Sequence, residues 1–150
     1  MKINDTQAIV LGILHKGHLA GTHIARKAAE FDGHWNVTRS QVYRELPVLA
    51  DKGLLLAGEP DAKKRWAQPY YITQAGREAY WTWFDSHSSR VIQRDPWVLR
   101  YKLSATLGDV DPLFCTRAAE YFQILSENET DPLLRDLYMI KFRWFSAQLT

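Results

Sequence analysis

One cysteine in 150 residues, Cys115, leaves nothing for an internal disulfide to join and suits a reducing compartment. No apolar run approaches the roughly 20 residues that cross a bilayer. The first residues lack the charged start, apolar core and small-residue cleavage site of an export signal. A soluble, cytoplasmic chain with no membrane partner is therefore expected. Catalytic punctuation is equally sparse: there is no G-x-S-x-G elbow, no H-E-x-x-H and no phosphate-cradling G-x-x-x-x-G-K. Cys115 falls on an apolar helix rather than beside a partner histidine, so no enzyme and no cofactor are expected. A metal sensor could use His15, His18 and His23. A turn separates them and no carboxylate or thiol stands at ligand spacing, so surface histidines are the plainer account and no metal is expected. Net charge is also scarce: 19 basic against 17 acidic residues give +2, too close to balance to point to nucleic acid.

What is present is a patterned chain with 46% hydrophobic residues, enough for one compact domain or a small domain with an appendage. Residues 38–55, Thr-Arg-Ser-Gln-Val-Tyr-Arg-Glu-Leu-Pro-Val-Leu-Ala-Asp-Lys-Gly-Leu-Leu, organise the rest. Thr38 followed three residues later by Gln41 is a capping-box pattern, in which each side chain satisfies a backbone donor orphaned at a helix start. Val42, Leu46 and Leu49 then recur at helical spacing, while Arg39, Ser40, Tyr43 and Arg44 occupy the other positions of the first two turns. Gly53 stops this helix and Leu54, Leu55 and Leu56 begin something extended. Pro47 deletes one backbone hydrogen bond inside the helix and is expected to kink or loosen it.

Upstream, Asn4 and Asp5 offer an N-cap before the nearly continuous apolar run of Ala8, Ile9, Val10, Leu11, Ile13 and Leu14, a helix buried on most sides that Gly17 should end. Residues 19–31 read as a second helix with Ile24, Ala25, Ala28 and Phe31 inward. Trp35 and Val37 are expected to pack under the loop that aims the third helix. Residues 54–57 and 68–73 are short apolar segments around Gly58, Glu59, Pro60 and Asp61, hence a hairpin with a long polar tip. Thr73 caps a fourth helix. Asp95-Pro96, Asp111-Pro112 and Asp131-Pro132 mark three further helix starts, since Asp is a good N-cap and Pro is tolerated at the first helical position. The fold class expected is mainly α, an α+β winged helix-turn-helix over residues 1–86 followed by a C-terminal helical arm over 87–150.

At this point a resemblance appears. Ser-Gln-Val-Tyr-Arg-Glu-Leu, then Leu49, Lys-Gly-Leu-Leu, and Pro-Tyr-Tyr-Ile-Thr-Gln-Ala-Gly-Arg-Glu at 69–78 are similar in order to the winged-helix half of PadR-type transcriptional regulators. Leu11-Gly-Ile-Leu and Gly17-His-Leu-Ala-Gly21 resemble the family's first helix and glycine-bounded turn, so the likeness covers roughly residues 8–85. It departs where Thr22 and His23 follow Gly21 in place of the family's usual aromatic, and where His18 replaces a common proline. The resemblance implies a DNA-binding regulator, built as a dimer through C-terminal helices, with Tyr43 matching the family's tyrosine and donating to a phosphate.

The residues themselves agree with a DNA reader. Residues 1–80 hold 11 basic against 8 acidic side chains, or +3, while 81–150 hold 8 against 9, or −1. A helix-turn-helix sets the first residues of its recognition helix at base edges. The DNA-contacting candidates are therefore Thr38, Arg39, Ser40, Gln41, Tyr43 and Arg44, with Lys63, Lys64 and Arg65 in the wing tip to flank the site. The plainer account of Arg39 and Arg44 is a solvated helix face, salt-bridged to Glu45 or Asp51. The last helix, with Leu134, Leu137, Tyr138, Ile140, Phe142, Trp144, Phe145 and Leu149, is apolar around more than one neighbour can cover. A twofold homodimer on an inverted-repeat operator is expected, unless the C-terminal helices fold back on residues 74–85 and bury this surface internally. For input, Trp81, Trp83, Trp97, Tyr101, Tyr121, Phe122 and Trp144 are enough to line a flat pocket for an aromatic or planar effector, although aromatics at helical spacing are first of all packing. The rival function is a winged-helix module that binds a protein partner instead of DNA.

Overall fold

The structure, a computed structural model, describes residues 1–86 and 95–150. It divides into two compact units, residues 1–89 and 90–150. The boundary expected between residues 86 and 87 lies at the edge of the described residues.

The first unit is three helices, a small sheet and a fourth helix. Helix α1 (Asp5–Ile13) opens with a full capping box between Asn4 and Gln7. It passes into a 3-10 turn at Leu14–Lys16 before Gly17, so the helix proper closes earlier than that glycine. Strand β1 (Leu19–Ala20) and helix α2 (Gly21–Ala29) follow, then helix α3 (Arg39–Asp51). The wing is strand β2 (Leu55–Ala57) and strand β3 (Pro69–Ile72), and helix α4 (Gln74–Asp85) ends the unit. The sheet is antiparallel in the order β1-β3-β2.

The start of the second helix and the packing of Phe31 and Trp35 need correcting. The second helix begins at Gly21, not at residue 19, because Leu19 and Ala20 pair with Tyr70 and Pro69 of β3. A two-residue strand has no alternation to read, and only the distant partner decides its conformation. Phe31 and Trp35 are exposed at 43% and 49%, since α2 ends at Ala29 and a series of turns takes both off the helix's inward face. Val37 is buried as expected. Helix α3 runs through Pro47 to Asp51, and Gly53, at φ 71°, follows its end.

The core of this unit brings together Val10, Leu11 and Leu14, Ile24 of α2, Val42, Leu46 and Leu49 of α3, and Leu54 and Leu55 of the wing, none more than 2% exposed. Each such side chain contributes roughly 1.5–3 kcal/mol on burial, so α3 is anchored by its inner stripe and free on its outer one. The wing is locked to α4 by Thr73, which caps Gly76 N–H at 3.0 Å and donates from Oγ1 to the Gly53 carbonyl at 2.7 Å.

The second unit holds helices α5 (Pro96–Thr106), α6 (Pro112–Asn128) and α7 (Pro132–Ala147). Each starts as the Asp-Pro signals predict: Asp95, Asp111 and Asp131 accept backbone N–H groups of the first turn, and proline stands at the first helical position. Cys115, Ala118, Ala119, Phe122 and Phe145 form its buried centre. Leu99 and Leu103 of α5, Leu107 just after it, and Leu133, Leu137 and Ile140 of α7 remain exposed, from 41% to 82%. Packing among the helices of the second unit leaves this apolar surface uncovered. Among the described residues no helix is long and apolar enough to cross a membrane.

Candidate nucleic-acid interface

The start of α3 is fixed by reciprocal bonds: Thr38 N–H donates to Gln41 Oε1 at 2.7 Å, and Gln41 N–H donates to Thr38 Oγ1 at 3.2 Å. Thr38, Arg39, Ser40, Tyr43 and Arg44 are exposed beyond this cap, and Gln41 is half-buried. The cap occupies Gln41 Oε1. Bidentate pairing of a glutamine with adenine uses both ends of the amide, so in this conformation Gln41 offers only its amino group and serves first to hold the helix start.

Arg39 and Tyr43 lie one turn apart and act as a pair. The guanidinium sits 5.4 Å from the Tyr43 ring centroid and its Nη2 donates to the phenol oxygen at 3.3 Å. Tyr43 in turn packs where α2 begins: a Cβ on Gly21 would stand 3.0 Å from Tyr43 Cε1 and 3.4 Å from Leu46 Cδ1. The absence of a side chain at 21 is what lets the two helices of the motif approach. The neighbouring Tyr70 phenol is held above its ordinary pKa, first by burial and then by Tyr43.

Arg44 has a side chain 69% exposed, with Nε 3.6 Å from Glu45 Oε1. The salt bridge weighed from the sequence is thus present, and it leaves the arginine at the surface. Glu45 itself, named from the sequence only as a salt-bridge partner, has a second role. It is 7% exposed, and its Oε2 accepts from Nε2 of Gln7, 4% exposed, at 2.8 Å. Gln7 also closes the capping box of α1. One side chain therefore ties the start of α1 to the middle of the reading helix. The signal was available, because position 45 falls with 42, 46 and 49 on the apolar stripe, where a carboxylate needs a partner.

Lys63, Lys64 and Arg65 are all exposed at the wing tip, on and just after a 3-10 turn (Ala62–Lys64) whose start is capped by Asp61, its carboxylate accepting from Lys63 N–H at 2.9 Å. Trp66, directly after them, is 70% exposed and was also passed over. An aromatic adjoining three cations is a recognisable nucleic-acid pattern in sequence.

The residues expected to line an effector pocket divide. Trp97 stacks on Tyr121 at 5.1 Å between ring centroids, Tyr101 meets Trp144 edge-on at 4.6 Å, and Phe122 stacks on Phe145 at 5.8 Å. These six rings belong to the aromatic packing of the second unit. Trp83 belongs to the first unit, where Nε1 donates to Asp5 at 2.9 Å. It lines an open groove of ≈ 250 Å³ with Ala8, Ile9, Gly12, Ile13 and Tyr80, and Trp81 packs edge-on against Tyr80. The histidines are dispersed: His15 packs on Tyr80 at 4.5 Å, His18 stacks on Tyr71 at 4.8 Å, and His23 is exposed.

A capped helix presenting polar side chains, carried on a tri-helical core and followed by a two-stranded wing with a basic tip, defines a winged helix-turn-helix. Residues 10–81, just under half of the chain, match the Transcriptional regulator PadR-like family, so this stretch is similar to the winged-helix part of that family. No curated protein matches the sequence significantly. Solved structures extend the likeness to the whole chain. Bacillus subtilis PadR in complex with operator DNA superposes with a TM-score of 0.82 at 17% identity, covering 99% of this chain and 98% of that one. B. subtilis PadR with p-coumaric acid gives 0.76 at 17%, covering 95% of each chain. The Vibrio cholerae virulence activator AphA gives 0.63 at 20% identity, covering 97% of this chain and 92% of that one. At such identities the likeness establishes the fold.

Proposed function

We propose that this chain is a homodimeric, sequence-specific DNA-binding regulator of the cytoplasm, a repressor that a small aromatic or planar ligand releases from an inverted-repeat operator. It catalyses no reaction in this reading. The observation that carries it is the outer stripe of α3: Arg39, Ser40, Tyr43 and Arg44 stand exposed on a helix whose start is capped and whose inner stripe is buried. Arg39 and Arg44 are suited to guanine O6 and N7, each good pair discriminating by about 1–3 kcal/mol. Tyr43 suits a phosphate, and Lys63, Lys64 and Arg65 suit the backbone beside the site. The related PadR structure with operator DNA supports this placement, and the p-coumaric acid complex supports an aromatic ligand. The exposed leucines of α5 and α7 support a second copy as the covering partner. Two copies would span half-sites about one duplex turn, roughly 34–36 Å, apart.

Fluorescence anisotropy against DNA from just upstream of the protein's own gene, at two salt concentrations and beside an unrelated duplex, tests the reading. Binding that salt weakens and that prefers the upstream fragment by about 1,000-fold or more is expected. Equal weak binding to both, unaltered by neutral substitution of Arg39, Arg44 and Lys63, would instead assign the helix and wing to a protein partner. Sedimentation at micromolar concentration tests the assembly, and a clean 17.4 kDa species would remove the dimer.

A further inference from the structure

Of the tryptophans in the described residues, Trp66 has the greatest exposure, 70%, and no ring among the described residues lies against it. Yet its position is built. Trp66 N–H donates to the Asp61 carbonyl at 2.8 Å, Ala67 N–H donates to the Lys64 carbonyl at 3.1 Å, and Asp61 and Ala67 form an isolated bridge across the loop. Arg65 (φ 54°, ψ 42°) and Trp66 (φ 60°) are successive left-handed residues, a conformation that side chains larger than glycine adopt at a cost. They are the only non-glycine residues at positive φ among those described. A held, strained turn that presents a large apolar ring to water gives up stability for something outside the unit.

The occupant is indicated by charge. Lys63, Lys64 and Arg65 immediately precede the indole and are all exposed, so a negatively charged surface complements the ring's surroundings. Duplex DNA offers both halves of the match: phosphates for the cations, and the edge of a base step for an apolar ring. We infer that Trp66 is a DNA wedge, which enters the minor groove beside the site read by α3 and stacks on a base step that it partly opens. The inference rests on the proposal that α3 reads DNA, and it adds a specificity element that makes no hydrogen bond to a base. Unstacking is easiest at pyrimidine–purine steps, so Trp66 makes the protein select TA or CA steps at the flank of its operator.

The test starts with selection of duplexes from a random pool by the wild-type protein. On a recovered duplex, Trp66→Ala is expected to weaken binding about tenfold, roughly 1.4 kcal/mol, with the slope of log affinity against log salt unchanged because no phosphate contact is lost. Lys64→Ala should lower that slope by about one, and Trp66→Phe should keep most of the affinity. Selection repeated with Trp66→Ala should recover the same core without the flanking steps. Wild-type affinity and an unchanged flank preference in Trp66→Ala would overturn the inference. So would a fall in salt slope like that of Lys64→Ala, which would mean that the indole only props the cations. A pool from which the wild-type protein enriches nothing removes the DNA reading itself, a failure separate from that of the wedge.

Discussion

The bond between Gln7 and Glu45 allows the placement of the reading helix to be tested by a double-mutant cycle. Both residues are buried, at 4% and 7% exposure, and their side chains meet at 2.8 Å. Glu45→Ala removes a hydrogen bond to a charged group, worth about 1.5–3 kcal/mol, and leaves the Gln7 amide without that acceptor. Gln7→Ala removes the same bond, deletes the reciprocal capping bond to Asn4 N–H, and leaves a buried carboxylate with only Arg44 at 3.6 Å. A loss of about 3 kcal/mol is expected for Gln7→Ala and about 2 kcal/mol for Glu45→Ala. The double variant should lose about 1.5–2 kcal/mol less than the sum, because the shared bond is counted twice. Denaturant unfolding followed by tryptophan emission measures these values, and DNA affinity of the folded variants should fall as α3 loses its tie to α1. Additivity within about 0.5 kcal/mol would refute the reasoning and reduce Glu45 to a solvated neighbour of Arg44.

Other perturbations give separate checks. A Cβ at Gly76 would lie 2.2 Å from the Leu54 carbonyl oxygen, so Gly76→Ala should cost at least about 3 kcal/mol in the same unfolding assay by prising α4 from the wing. Asp95 is pushed up by burial but pulled further down by the Lys141 ammonium and the Trp97 and Val98 amides, so its folded pKa is lowered. Its contribution is therefore present above the ordinary carboxylate range and is lost as pH falls through the lowered value. Asp95→Asn, which keeps an N-cap, should flatten the loss of second-unit helicity below about pH 4, as circular dichroism would read. The Cys115 thiol is raised first by burial and then by Asp111, so it should react with a disulfide reagent many-fold more slowly than in urea. Equal rates would show that the second unit opens freely.

The sequence alone determined the elements whose cause is local. The capping box of Thr38 and Gln41, the Asp-Pro starts of α5, α6 and α7 and the apolar stripe of Val42, Leu46 and Leu49 are written within one or two helical turns, because capping and amphipathic burial act over that distance. The exposed donors of α3 followed from the same stripe. What acts between distant residues had no such local trace. Leu19 and Ala20 became a strand because Pro69 and Tyr70 lie beside them, Gln7 met Glu45 across 38 positions, and Phe31 turned outward once α2 stopped short. The aromatic residues show the limit most directly. Their spacing announced a rich apolar face, but only packing divided it, setting Trp83 against Asp5 in the first unit and Phe122 against Phe145 in the second. A sequence states which side chains must leave water, and tertiary contact decides which neighbours receive them.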